Sequence, residues 1–227
     1  MSLETVGVLG GTFDPVHLGH LHVALGVKRV FGLARVLLVP CANPSHKAPV
    51  SISPSAHRLA MLRLAIEGLA GLEVSTLEVD RGGTSFTIDT LRALRGSGGI
   101  APLFILGIDA LADLPTWREH RCLVEEFDLV AVDRPGGSLA GAREQVGQEI
   151  ARRIVQLPEE AATAALARLA PAGAGGRIFH LTLAPVPVSS REIRTRATAG
   201  ADLVSLVPPA VARYIREQGL YRQEESL

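Results

Sequence analysis

The chain has 227 residues, enough to bury a full core without disulfides or a structural metal. Apolar residues make up 47% of it and charged residues 20%, which excludes a disordered chain. The 23 basic residues balance the 23 acidic ones, so no net charge draws the protein to nucleic acid or anionic lipid. We therefore expect no nucleic-acid partner, and any polyanionic ligand should be small.

The cysteines and the N-terminus bear on the compartment. Cys41 and Cys122 are too few for a disulfide framework and lack the C-x-x-C spacing of a zinc or redox site. Residues 1–11 have no basic stretch followed by a long apolar core, and no apolar run approaches the roughly 18 residues of a membrane span. These features predict a cytoplasmic protein with no membrane partner.

Short β-branched or aliphatic runs alternate with helical patterns along the chain. The predicted strands are residues 5–9, 35–39, 72–75, 102–106, 128–132 and 177–183. Such alternation predicts an α/β fold, a Rossmann-like, doubly wound, mostly parallel sheet with helices on both faces.

Helices are predicted from the spacing of apolar residues and from their terminal residues. The first covers residues 18–31, and the second begins with Ser53 as N-cap and Pro54 at N1 and ends at about Gly68. A third starts near Phe86, and the last runs from 208–209 to a C′ glycine, Gly219.

The long segment 136–176 is rich in alanine, glycine and arginine, and it is bounded by proline and glycine. It lacks strand signals, and we interpret it as a helical excursion. The chain as a whole, 1–227, is predicted to be a single domain with a C-terminal helical segment at about 189–221.

The most informative segment is residues 10–20, GGTFDPVHLGH, which links the first strand to the first helix. Gly10 and Gly11 let the backbone approach a ligand, and the N–H groups of the helix N-terminus favour phosphate. His17 and His20 are three residues apart, so both imidazoles can face one ligand, for which Gly19 leaves room. A bare H-x-x-H pair is more often a surface or capping pair beside a tight turn, and zinc binding lacks a nearby third ligand.

These residues carry a resemblance to a known family. His17-Leu18-Gly19-His20 resembles the H-x-G-H signature of the nucleotidyltransferase superfamily, and all of residues 10–20 resembles its nicotinate mononucleotide adenylyltransferase branch. The resemblance covers nearly the whole chain except the excursion. Further matches follow in order: Pro44-Ser45-His46-Lys47, the string SFTIDTL at 85–91, Gly107-Ile108-Asp109, Pro115-Thr116-Trp117, Arg134-Pro135-Gly136, Val188-Ser189-Ser190 with Ile193-Arg194, and Gly219-Leu220-Tyr221.

The resemblance implies attack by the 5′-phosphate of nicotinate mononucleotide on the α-phosphorus of ATP, with pyrophosphate leaving. The acceptor phosphate is already ionised near neutral pH, so no protein nucleophile or strong base is implied. Catalysis is then positioning and charge stabilisation. Mg²⁺ is the implied cofactor, bridging substrate phosphates while mostly hydrated, so no protein metal ligands are predicted. A homo-oligomer is left open.

The resemblance also implies roles for individual residues. The catalytic ones are His17, His20 and Lys47, with His20 stabilising charge on the α-phosphate. ATP is bound by Gly10, Gly11, Thr12, Phe13, His17, His20, Gly107, Asp109, Ser189, Ser190 and Arg194. The acceptor is bound by Asp14, His46, Lys47, Thr87, Trp117 and Arg118, with Trp117 stacking on the pyridine ring and Thr87 near its carboxylate.

Several of these residues have an ordinary structural alternative. Asp14 precedes a proline and could simply fix the turn. His46 and Lys47 could be a solvated pair, Ser189 and Asp109 could be helix caps, and Trp117 could be core.

The chain departs from the family pattern at two places. Arg191 stands where the family has a small hydroxyl residue, and we expect it to point to solvent because Arg194 already matches the family's arginine. The excursion after Arg134 is longer than the usual linker.

Two kinds of rival function stay open. Other acceptors in the superfamily are nicotinamide mononucleotide, phosphopantetheine and glycerol phosphate, against which segments 85–91 and 115–117 favour nicotinate. The second kind of rival function is a non-catalytic nucleotide sensor on the same fold, and the intact His17 and His20 argue against it.

Overall fold

The computed structural model describes residues 3–44, 52–133, 137–157 and 176–222. Seven strands form one sheet in which every neighbouring pair is parallel, in the order β4-β2-β1-β6-β7-β9-β8. A separate pair, β3 and β5, is also parallel. The strands are β1 Glu4–Gly11, β2 Val36–Pro40, β3 Asn43–Pro44, β4 Leu72–Val74, β5 Thr84–Ser85, β6 Ile100–Gly107, β7 Asp128–Val132, β8 Ile154–Gln156 and β9 Ile178–Leu181.

Helices connect the strands and cover the sheet. They are α1 Leu18–Val30, α2 Ser55–Ile66, α3 Leu77–Arg81, α4 Thr87–Gly96, α5 Ile108–Ala112, α6 His120–Glu126, α7 Leu139–Gln145, α8 Gly147–Ala151, α9 Ser190–Thr198 and α10 Pro209–Glu217, with a 3₁₀ turn at Leu114–Thr116. The predicted α/β class with a parallel sheet is confirmed.

The apolar core lies on both faces of the sheet. All five residues of β2 are buried, and its neighbours Leu37 and Leu38 fall in two different clusters because successive side chains of a strand point to opposite faces. Residues of α1, α2, α9 and α10 belong to the Leu38 cluster, and residues of α4 to α8 belong to the Leu37 cluster. Because the strands carry apolar side chains on both faces of the sheet, helices must cover both faces.

Two local predictions differ from the structure. Pro54, not Ser53, is the N-cap of α2, with non-helical dihedrals of φ −46° and ψ 142°, and the backbone N–H of Ser53 donates to the Asp14 carboxylate at 3.2 Å. The segment 136–176 contains β8, which pairs with the edge strand β9, besides α7 and α8. Residues 158–175 lie outside the described part of the chain, and the single-domain assignment stays a prediction.

The predicted end of the last helix is confirmed. Gln218 is the C-cap of α10, and Gly219 follows it with φ +61°. Glycine favours this left-handed conformation because it has no Cβ.

A tight approach inside the sheet gives a stability prediction. A Cβ at Gly7 of β1 would lie 2.8 Å from Val36 Cγ2 and 3.1 Å from Leu33 Cδ1, both in the core. Gly7→Ala should therefore lower the free energy of unfolding by about 1–3 kcal/mol, measured by urea denaturation. In the same strand a Cβ at Gly10 meets only Phe104, at 3.6 Å, so Gly10→Ala is the control. Equal losses in both variants would contradict the steric explanation.

Candidate active site

The candidate site lies where the direction of strand order reverses. From β1 the chain proceeds outward through β2 to β4, and from its neighbour β6 it proceeds the other way through β7 to β9. The carboxyl ends of strands at such a switch point leave a crevice between the diverging connections. About 250 Å³ of open space lies there, lined by Leu9, His20, Val23, Leu106, Gly107 and Val132.

The two histidines of the 10–20 segment lie together at this crevice. His17 is the N-cap of α1 and is buried, and His20 lines the open space. Their rings stack with centroids 3.6 Å apart and planes 27° apart. The His17 backbone N–H donates to His20 Nδ1 at 3.3 Å, which places the proton of a neutral His20 ring on Nε2, the donor that a phosphate oxygen needs.

Gly19 lies between the histidines, and its neighbours explain why it is small. A Cβ there would lie 3.0 Å from Val188 Cγ1 and 3.1 Å from His17 Nδ1. Contacts within the protein, besides any ligand, therefore favour a glycine here. A Cβ at Gly11 would similarly approach the buried ring of Phe13 to 3.2 Å, and Phe13 also packs edge-on against His20 at 4.9 Å between centroids.

Asp14 is buried, with 4% of it exposed, and it is held by three hydrogen bonds from distant parts of the chain. Its Oδ1 accepts from the hydroxyl of Tyr221 at 2.7 Å, and its Oδ2 accepts from the backbone N–H of Ser53 at 3.2 Å. Its backbone carbonyl accepts from Arg194 Nη1 at 2.6 Å. These contacts support the turn-fixing interpretation of Asp14, and its assignment to the acceptor stays a prediction.

The predicted phosphate-binding residues of α9 contact the same turn. Ser190 Oγ donates to the Pro15 carbonyl at 3.0 Å, beside the Arg194 contact. Ser189 is the N-cap of α9, accepting from the Glu192 N–H at 3.1 Å. Arg191 is exposed, as expected. The structure thus brings the α9 N-terminus to the 10–20 segment.

Tyr221, which sequence reasoning left without a role, lies in the last turn described. Burial, followed by the negative charge of Asp14, raises the pKa of Tyr221, so its hydroxyl stays protonated and can donate. No local sequence pattern predicts the hydrogen bond between Tyr221 and Asp14, because 207 positions separate the two residues. In the sequence, only the resemblance of Gly219-Leu220-Tyr221 to the family pattern pointed to this position.

Arg58 is the second residue that sequence reasoning missed, and it is 1% exposed. Its guanidinium donates to the backbone carbonyls of Thr12, Cys41, Ala42 and Ser53, at 2.9, 2.8, 3.2 and 3.0 Å. It thereby joins the 10–20 segment to both ends of the stretch 42–53. One signal was available: a cation on the face of α2 that also carries Met61, Leu62 and Ala65.

Aromatic contacts connect the glycine turn to the predicted acceptor side. A Cβ at Gly10 would lie 3.6 Å from the ring of Phe104, and that ring meets Trp117 edge-on at 6.1 Å. Trp117 is half-buried and packs partly on the core. This position is compatible both with stacking on the pyridine ring and with a role in the core.

Arg118 lies over the neighbouring aromatic ring. Its guanidinium carbon is 4.6 Å from the centroid of Phe86, the N-cap of α4, and Thr87 is the first residue of that helix. Nη1 of Arg118 is 3.8 Å from Asp89, and Nε is 3.7 Å from Glu119. Arg118 and Thr87 are therefore brought to one region of the molecule.

The remaining predicted residues divide into two groups. Gly107 ends β6 and is the N-cap of α5, with Asp109 in the first turn, so Asp109 is not the helix cap that was its alternative role. His46, Lys47 and Arg134 lie outside the described residues. The roles of all the predicted site residues stay predictions.

In residues 3–44, 52–133, 137–157 and 176–222, no group of three or more His, Cys, Asp or Glu side chains is placed to hold a metal ion. Among the described helices, none combines the length and apolarity needed to cross a bilayer.

A parallel sheet with a glycine turn and stacked histidines at its switch point is the architecture of a doubly wound α/β protein. The model of the family described as Cytidylyltransferase-like matches residues 8–196. This chain belongs to that family.

Individual relatives agree with the assignment. The chain is 42% identical over 225 residues to a Symbiobacterium thermophilum protein named "Probable nicotinate-nucleotide adenylyltransferase", covering 99% of this chain and 98% of the relative. A Bordetella avium protein of the same name is 38% identical, with 97% and 99% covered. The fold matches Plasmodium falciparum nicotinic acid mononucleotide adenylyltransferase complexed with NaAD, with TM-score 0.72, 18% identity, and 96% and 97% covered.

The Arg58 contacts give a prediction about the integrity of the site. Arg58→Met keeps the length of the side chain but removes the donor that four backbone carbonyls share, and bonds to charged groups are worth about 1.5–3 kcal/mol each before relaxation. We expect a loss of about 3–5 kcal/mol in the free energy of unfolding, measured in urea. Arg63→Met, at an exposed position of the same helix, should lose less than about 0.5 kcal/mol. Matching losses would refute the proposed role of the four bonds.

Proposed function

We propose that this chain transfers the adenylyl group of ATP to nicotinate mononucleotide, giving nicotinate adenine dinucleotide and pyrophosphate, a step of NAD biosynthesis. The observation that carries the proposal is the stacked His17–His20 pair at the α1 N-terminus, beside the open space at the switch point. The full-length relatives named nicotinate-nucleotide adenylyltransferase support the choice of acceptor.

The donor side of the site is assigned from its position. In the proposal, phosphates of ATP lie at the α1 N-terminus, where backbone N–H groups and the helix dipole favour negative charge. His17 and His20 donate to the phosphate oxygens, with His20 stabilising the charge that grows as pyrophosphate leaves. Ser189, Ser190 and Arg194 extend this group of donors from α9, while Asp109 accepts hydrogen bonds from ribose hydroxyls after β6.

The acceptor side is assigned to Thr87, Trp117 and Arg118, together with His46 and Lys47 of the 45–51 stretch. Trp117 supplies a ring face for the pyridine, and N–H and O–H donors near Thr87 receive its carboxylate. The acceptor phosphate is itself the nucleophile, so the protein holds the two phosphates in line and no residue forms a covalent intermediate.

A divalent cation fits this arrangement. Phosphate oxygens are hard ligands, and Mg²⁺ keeps most of its water while it bridges substrate phosphates, which needs no dedicated cluster of carboxylates. We propose Mg²⁺ in this role, where it would neutralise charge on the leaving pyrophosphate. We also propose a cytoplasmic location and no nucleic-acid partner. The oligomeric state is left unassigned.

Removal of His20 tests the catalytic assignment. If its ring stabilises charge that grows in the transition state, His20→Ala should lower kcat and kcat/KM together by about 10² or more while ATP still binds. Steady-state pyrophosphate release measures both parameters. His22→Ala is the control, since His22 is on the same helix and its buried Nε2 makes no hydrogen bond within the described part of the chain. A near-normal kcat in His20→Ala would refute the assignment.

Acceptor choice tests the proposed substrate. A site that offers only donors satisfies a carboxylate but opposes the NH₂ of a carboxamide, leaving a buried group unsatisfied at about 1–3 kcal/mol, with loss of a charge-assisted bond added. We expect kcat/KM to favour nicotinate over nicotinamide mononucleotide by about a hundredfold or more.

Trp117→Ala is the matched variant for the same assay. It should weaken the use of both acceptors because the stacking face is lost, and it should leave much of their ratio intact because a ring face does not distinguish carboxylate from carboxamide. Comparable wild-type values for the two acceptors would overturn the nicotinate assignment.

A further inference from the structure

The contact between Asp14 and Tyr221 joins the start of the site to the end of the described chain. Asp14 lies three positions before His17, within the segment that carries both histidines. Its carboxylate is buried, and its two oxygens receive donors from Tyr221 and Ser53. A buried carboxylate needs such donors, because loss of one leaves charge without solvation.

Tyr221 is itself held in place. Thr198 Oγ1, in the last turn of α9, donates to the Tyr221 carbonyl at 2.6 Å. The Tyr221 backbone has φ +64°, a left-handed conformation that a tyrosine adopts only when its surroundings impose it. The hydroxyl is therefore presented to Asp14 from a fixed turn.

Helix α9 contacts both sides of this arrangement. Arg194 donates to the Asp14 carbonyl from one turn of the helix, and Thr198 fixes Tyr221 from the next. The backbone and the carboxylate of Asp14 are thus held from two directions by one helix and the turn bound to it. The position of Asp14 is therefore fixed, and the chain continues from it to His17.

We infer that Tyr221 is a positioning residue for the transfer reaction, acting through Asp14 on the placement of His17 and His20. It touches no reacting atom. The inference rests on the proposed function for its kinetic test. Its physical basis is that a displacement of about 1 Å at a catalytic group can lower a rate by as much as 10²-fold.

The alternative is that the Tyr221 hydroxyl contributes only to stability. The chain contains a matched control, because it has two tyrosines. The hydroxyl of Tyr214, in α10, lies 2.9 Å from His57 Nδ1 of α2. Tyr214→Phe therefore also deletes one partly buried tyrosine hydrogen bond, but it leaves Asp14 untouched.

The experiment compares the wild type with Tyr221→Phe and Tyr214→Phe. Each variant loses one oxygen and keeps its ring, so both should fold, with the larger decrease in urea midpoint in Tyr221→Phe because its hydroxyl donates to a buried carboxylate. We expect kcat of Tyr221→Phe to fall on the order of tenfold, with KM for each substrate within about twofold of wild type. Tyr214→Phe should retain kcat within about twofold.

Other kinetic outcomes would overturn the inference. A Tyr221→Phe enzyme with wild-type kcat has no need of the hydroxyl. Equal losses of kcat in both variants would mean that the two hydroxyls affect the rate only through the stability of the protein. A raised KM with normal kcat would make Tyr221 part of a binding surface.

A spectroscopic measurement separates this inference from the choice of substrate. Nitrogen-15 spectra of the imidazole rings, recorded without ligand, should show the His17 and His20 signals shifted in Tyr221→Phe and unchanged in Tyr214→Phe. Unmoved signals in Tyr221→Phe would refute the positioning role whether or not the protein uses nicotinate mononucleotide. Shifted signals in Tyr221→Phe, together with a wild-type protein that rejects that acceptor, would count against the proposed function alone.

Discussion

The buried carboxylate of Asp14 is the constraint on which the site depends. An anion removed from water is stable only when donors replace its solvation, and here Tyr221 and Ser53 do so. Those two residues belong to the C-terminal turn and to the approach to α2, far apart in sequence. The requirement of one charge therefore brings three distant parts of the chain to the N-terminal side of α1, where the histidines lie.

Arg58 satisfies the complementary requirement. Its buried cation is surrounded by carbonyls of Thr12, Cys41, Ala42 and Ser53, so backbone dipoles solvate it within the described structure. Ser53 is common to both arrangements, its N–H facing Asp14 and its carbonyl facing Arg58. The glycine turn after β1 is thus held by a buried anion and a buried cation that contact the same residue, Ser53.

Local patterns predicted what depends on local physics. The strand at Asp128–Val132 and the start of α1 at Leu18 follow from aliphatic runs and from helical spacing, and the structure has both at the predicted residues. The partners of Tyr221 and Arg58 depend on contacts between separate parts of the chain, so the sequence could mark the two positions but not the contacts they make. Strand β8 escaped prediction because three residues beside an alanine-rich stretch give little signal, and pairing with β9 supplies the stabilisation.

The turn after β1 and helix α4 are held by different kinds of interaction. The turn is held by hydrogen bonds to the buried side chains of Asp14 and Arg58. On α4, Arg92 contacts Glu119 and Glu126 in partly exposed ion pairs, and hydrogen bonds, first from Arg92, lower the pKa of Glu126. Single pairs of this kind contribute little, and apolar residues of α4 and α6 also share one buried cluster. The hydrogen bonds of the turn after β1 are therefore less open to screening by salt than the ion pairs of α4.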